Sequence, residues 1–224
     1  MTTQAQAPAS DKRPTALDTY AEFVAEVERL CRRDPGNHAA LRAGLRRDLD
    51  HPRVRPMHRL LTTLVPAGCD DTAQAYYTVA SLIAARPRHS FTAAQEADEH
   101  EEAIRADQET QAAQKSERTA GKADRSAPTR SESFGAALGQ AVVAKGSSMR
   151  LSAAESRINL LTRQSLRGIH LHLPAAVNQV RVTETPIHWD RLLADLVDWP
   201  HRSGRISRHW LQDFYRITAS VARD

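Results

Sequence analysis

Arginine is the residue whose placement in this chain could do chemistry. One group comprises Arg42, Arg46, Arg53, Arg55 and Arg59, and a second comprises Arg150, Arg157, Arg163 and Arg167. A guanidinium keeps its charge at any physiological pH and offers a planar fork of N–H donors that matches phosphate oxygens. Arginines gathered on one surface therefore hold a nucleic-acid backbone without reading its bases. A single arginine is an ordinary solvated residue, so the signal is the grouping. Lysine occurs only at Lys12, Lys115, Lys122 and Lys145, and the net charge of +4 permits a polyanionic partner without requiring one.

Other chemistry is not indicated. The chain contains no GxxxxGK[ST] phosphate loop, no GxSxG elbow, no HExxH and no paired-cysteine ligand set. Cys31 and Cys69 stand alone, which suggests neither a disulfide framework nor a zinc site. His170 and His172 in IHLHL would leave a helix on different sides, which argues against joint metal binding and places them at the helix surface or boundary. Glu96, Asp98, Glu99, Glu101 and Glu102 lack the glycine and spacing of a calcium loop and read as a solvated acidic face. Asp190, Asp195 and Asp198 read as helix-surface charges, and Trp189, Trp199 and Trp210 as core anchors. The expectation is a protein with no catalytic residues, no metal and no cofactor, which is not an enzyme.

Helices must position these arginines. An apolar stripe through Tyr20, Phe23, Val24, Val27, Leu30 and Cys31 predicts a helix that ends at Asp34-Pro35-Gly36. NHAALRAGLRRDLD puts Leu41, Leu45 and Leu49 on one face, with Arg42 and Arg46 one turn apart beside them. HPRVRP must be extended or a turn and exposes Arg53 and Arg55, and a short helix from Met57 to Val65 carries Arg59. Asp71 to Arg86 is apolar enough to be a buried helix.

Residues 92–133 are first acidic, then rich in Gln, Ser, Thr, Lys and Arg, and read as a linker or insertion that cannot bury enough surface to offset its ordering entropy. FGAALGQAVVAKG follows as a small-residue helix in which Gly135 and Gly139 would let a neighbour approach closely. In LSAAESRINLLTRQSLRGIHLHL, Ser152 and Glu155 have capping-box spacing, so a helix should begin there, with a second run through Leu166, Ile169 and Leu173. Val177 to Val182 continues that helix or restarts it after Pro174. Helices over Trp189–Trp199 and from about Ser207 to Val221 complete the pattern. No stretch alternates with period two for long enough to predict a strand.

The fold class is therefore all-α: two small helical bundles joined by a polar linker. Its parts are a disordered tail over 1–14, an N-terminal bundle over 15–91, the linker over 92–133 and a C-terminal bundle over 134–224. No apolar run approaches the roughly 20 residues needed to cross a bilayer, so a soluble, cytoplasmic protein is expected.

The order of these segments resembles the CasB family, the small subunit of the type I-E CRISPR surveillance complex Cascade. The resemblance is carried by ALRAGL (40–45), MHRLL (57–61), SFGAALGQAV (133–142), ESRINLLTRQ (155–164), IHWDRLLADLVDW (187–199) and WLQDFYRI (210–217). It implies a non-catalytic two-bundle protein whose partners are the other Cascade subunits, a second copy of itself, guide RNA, and the target and non-target DNA strands. Its role would be to hold the R-loop, above all the displaced non-target strand. By position, Arg42, Arg59 and Arg157 fall where the family places basic residues, while Arg150, Arg163 and Arg167 follow from local grouping alone. Gln140 stands where family members can carry arginine. The alternative is an interaction scaffold whose arginines meet acidic patches on partner subunits without touching nucleic acid.

Overall fold

A computed structural model describes residues 16–87 and 132–219. The expected tail over 1–14 and nearly all of the 92–133 linker lie outside the described residues. Among those described, every regular element is helical. The first half contains α1 (Ala16–Arg33), α2 (Pro35–Arg42), a 3-10 turn (Pro52–Val54), α3 (Arg55–Leu61) and α4 (Asp70–Ala84). The second contains α5 (Phe134–Val143), α6 (Leu151–Thr162), α7 (Leu166–Val182) and α8 (Trp189–Thr218). None of the described helices is long and apolar enough to cross a membrane.

Sequence dictates the joints. Asp34 accepts a hydrogen bond from Gly36 N at 2.8 Å and Pro35 opens α2, so the stop of α1 is also the start of α2. The expected helix through Leu49 does not continue. α2 ends at Arg42, the chain turns, and Arg46 adopts φ 59°, so Arg42 and Arg46 are not neighbours along one helix face. The physical reason lies in Gly44, where a Cβ would collide with Met57 Sδ and Ser81 Oγ. The backbone there is pressed onto the core and has no room to keep winding with side chains outward.

One further expectation is corrected. The Ser152–Glu155 capping box does not form: α6 begins at Leu151 after Arg150, and Ser152 lies inside the helix with its carbonyl accepting from Ser156 Oγ at 2.9 Å. The two expected C-terminal helices run end to end as α8, parted by a kink after Pro200 where Arg202 leaves helical geometry (φ −134°, ψ 20°), as an internal proline requires. By contrast α7 carries Pro174 through without interruption.

α4 organises the interior. Every residue from Ala75 to Ala84 is buried, and each large apolar side chain among them gains about 2 kcal/mol over exposure. α8 packs against α5 and also against α1 and α4, so one hydrophobic core runs through both halves. Gly135 and Gly139 do allow close approach: a Cβ at Gly135 would strike the Trp210 carbonyl, and one at Gly139 would press on Phe214 O and Ile217 at about 3.2 Å. Phe134, Trp199, Trp210 and Phe214 fill this seam, with ring centroids 5.4 Å apart for Phe134–Trp210 and 5.3 Å for Trp199–Trp210.

Candidate nucleic-acid interface

A cleft of about 470 Å³ opens between the halves, where the end of α2 and the end of α4 face α6 and α7. Arg42 and Arg46 enter it from the N-terminal half, and Arg157 and Arg181 from the C-terminal half. No carboxylate lines it; the remaining walls include Leu45, Pro174, Val177, Asn178 and Gln179. Like charges gathered in a cleft focus a positive field, since the protein on either side screens them less than bulk water would.

Local structure holds each group. Arg42 is the last residue of α2 and is exposed. Arg46 reaches the cleft through its left-handed backbone, a conformation costing about 1 kcal/mol or more for a residue with a Cβ. Arg157 projects from α6 and its Nε donates to Gln179 Oε1 at 3.1 Å, which fixes the stem and leaves the terminal nitrogens of the fork for other acceptors. Arg181 donates to the carbonyl of Leu82 at the end of α4, and its guanidinium lies 5.5 Å from the Trp189 ring centroid. Burial, with the nearby positive charge of Arg86, lowers its pKa to about 10, so Arg181 remains charged at neutral pH. The Leu82 carbonyl is at the negative end of the α4 dipole, which suits a cation.

Arg181 was not among the grouped arginines. It stands alone in VNQVRV, but it falls four and eight residues after Val177 and Leu173, both buried. A charge on the buried stripe of a helix was the available signal.

The other expected residues are placed as follows. Arg53, Arg55 and Arg59 are exposed on the 3-10 turn and α3 and do not line the cleft. Arg150 is exposed just before α6. Arg163 ends α6 and lines a separate shallow hollow with Glu155, Ser156 and Asn159. None of these five is ion-paired to a described carboxylate. Arg167 differs: its guanidinium pairs with Asp48 at 2.8 Å in a cavity that also contains Asp50, Asp70 and Asp71. This exposed pair sets Arg167 apart from the cleft arginines, which meet no carboxylate. Gln140 is half-buried and its amide donates to Glu132.

A larger hollow of about 690 Å³ along α8 also contains arginines, and all of these but Arg205 are paired with carboxylates. Arg191 pairs with Asp195 at 3.2 Å, Arg202 with Asp198 at 2.9 Å, and Arg216 with Asp213 at 2.9 Å. The buried Asp195, expected on a helix surface, accepts from Trp210 Nε1 at 2.6 Å and serves the aromatic seam. Burial raises its pKa, while the Trp210 bond and Arg191 oppose that rise. His170 is likewise buried rather than at the surface. Its Nδ1 meets Thr78 Oγ1 at 2.8 Å, and burial lowers its pKa to about 4. Among the described residues no group of His, Cys, Asp or Glu is arranged to hold a metal ion.

No curated protein matches the sequence. Two chains of solved assemblies do, one from a structure titled "CRISPR RNA-guided surveillance complex, pre-nicking" and one from "CRISPR RNA-guided surveillance complex". They are 29% and 28% identical, each with a TM-score of 0.70, covering 93% of this chain and 98% of theirs. CasB of M. ruber shares the fold at 17% identity and a TM-score of 0.57, over 94% of this chain and 98% of that one. The profile of CRISPR-associated protein Cse2 matches residues 37–215, a span that takes in the whole cleft, and the chain belongs to the Cse2 family.

Proposed function

We propose that this chain is the non-catalytic small subunit of a type I-E CRISPR surveillance complex, and that its cleft holds a sugar-phosphate strand of the R-loop, above all the displaced non-target strand. The observation that carries this reading is the convergence of Arg42, Arg46, Arg157 and Arg181, from both halves, in one cleft lined by no carboxylate. Similarity to chains of solved RNA-guided surveillance complexes supports the assembly with other subunits and guide RNA; a second copy of this chain and both DNA strands are further partners in this proposal.

Mechanistically the chain supplies affinity, and base pairing with the guide supplies sequence recognition. Phosphates displace condensed counterions when they meet the guanidinium forks, so binding weakens steeply with salt and is indifferent to base sequence. Exposed Arg53, Arg55 and Arg59 around α3, and Arg150 and Arg163 at the two ends of α6, would add contacts beyond the cleft. Arg181 acts differently from the rest: bound to the Leu82 carbonyl, it contributes field and holds α7 against α4.

The test is fluorescence anisotropy of the isolated chain with labelled single strands of unrelated sequence at low salt. Micromolar or tighter binding that is equal across sequences supports the reading. Failure to bind at those concentrations overturns it in favour of a scaffold that touches only protein.

A further inference from the structure

The residues that build the arginine cleft leave it without a counter-charge. Arg42, Arg46, Arg157 and Arg181 converge there, and no carboxylate lines it. Along α8 the arrangement is the opposite, with Asp195, Asp198 and Asp213 set against Arg191, Arg202 and Arg216. Like charges brought together from both halves repel one another, and an opposite charge held nearby relieves that repulsion.

The sequence contains one stretch of the required sign, and it begins close to the cleft. Residues 96–109 hold seven carboxylates against the single Arg105, five of them crowded into Glu96, Asp98, Glu99, Glu101 and Glu102. The other stretches outside the described residues have the wrong charge: 1–15, 88–95 and 110–131 are each net positive, and the side chains of 220–224 balance. The first half leaves the described residues at Pro87, two positions after Ala85, which with Leu82 at the end of α4 forms a wall of the cleft. Glu96 follows nine residues later, a span of up to about 30 Å, so the acidic run starts within reach of the guanidiniums. So short a tether keeps the run at an effective concentration of about millimolar. Exposed carboxylate–guanidinium pairs are weak one by one, but several formed together at that concentration fill the cleft for much of the time.

We propose that the chain's own acidic segment, residues 96–109, occupies the arginine cleft when no strand is bound, its carboxylates standing where phosphates would. A strand must then displace it, so the affinity for any polyanion is lowered by the share of time the segment is docked. The inference concerns the same cleft as the strand reading but does not rest on strand binding.

The test is the rate at which phenylglyoxal modifies each arginine of the full chain at low salt with no nucleic acid present, mapped by mass spectrometry. Glu96→Gln, Asp98→Asn, Glu99→Gln, Glu101→Gln and Glu102→Gln together should speed modification of Arg42, Arg46 and Arg157 about three-fold. Arg53, Arg55 and Arg59, which lie outside the cleft, should keep their parental rates. In the parent chain, raising salt to about 0.5 M should give the same selective gain, a readout that needs no variant. Unchanged rates at the cleft arginines overturn the proposal. So does an equal gain at Arg53, Arg55 and Arg59, which would make the segment a diffuse field and not an occupant. Protection that falls on dilution overturns it as well, by assigning the docking to a second copy. Failure of the isolated chain to bind single strands would refute the strand reading and leave this result standing.

Discussion

Replacing Arg42, Arg46 and Arg157 together by alanine should remove three of the four charges in the cleft and leave the fold standing. Arg42 and Arg46 are exposed and make no ion pair with any described residue, so their loss costs little stability. Truncating Arg157 removes one hydrogen bond to a half-buried Gln179, about 1 kcal/mol. The effect on binding is far larger. Each phosphate neutralised on a single strand contributes about 0.7 to the slope of log affinity against log salt, so the triple variant should lose about 2 from that slope. Because that contribution vanishes near 1 M salt, at about 0.1 M it corresponds to a roughly 100-fold weaker affinity, about 3 kcal/mol. The assay is anisotropy titration of a labelled single strand at several salt concentrations, with urea unfolding as the control for stability. A variant with the parent slope would refute the reasoning even if its affinity fell, since counterion release would then have no part in the loss.

Three other outcomes follow from the buried groups. His170 has a folded pKa of about 4 against an ordinary 6.5, so below pH 6.5 the unfolded chain takes up a proton that the folded chain does not. Stability should therefore fall between pH 6.5 and 4 by up to about 3 kcal/mol from this residue, and His170→Phe should flatten that part of a pH series of urea melts. Burial raises the Cys31 thiol to about 12, whereas the hydrogen bond to Thr72 lowers that of the exposed Cys69. Peptide mapping after iodoacetamide should therefore find Cys69 modified in the native protein and Cys31 only after unfolding. Gly135→Ala should destabilise by about 2–3 kcal/mol in the same melts, because its methyl meets the Trp210 backbone and α5 cannot separate from α8 without opening the aromatic seam.

Helix positions were legible wherever the apolar period was unbroken, as in α1 and α4, since periodicity reports the buried stripe directly. The sequence misled where tertiary packing overrode it. Leu41, Leu45 and Leu49 have helical spacing, yet Gly44 against Met57 and Ser81 turns the chain after Arg42. Ser152 and Glu155 have capping spacing, yet α6 starts before them. Among the site residues, Arg42, Arg46 and Arg157 were visible as members of two groups, but no local pattern could show that the groups face each other across α4 and α7. Arg167 looks like the preceding Arg157 and Arg163 in sequence because its partner, Asp48, is 119 positions away. Arg181 was hidden for the opposite reason, having no basic neighbour in sequence while sharing the cleft in space.

The central claim is that a strand lies in the cleft, against guanidiniums from both halves. Its most direct test is protection from phenylglyoxal, an arginine-specific reagent, mapped by mass spectrometry with and without bound single strand at low salt. The account predicts that the strand slows modification of Arg42, Arg46 and Arg157 together while the ion-paired Arg167 is unaffected. Equal modification rates at all of these positions with and without the strand would contradict it.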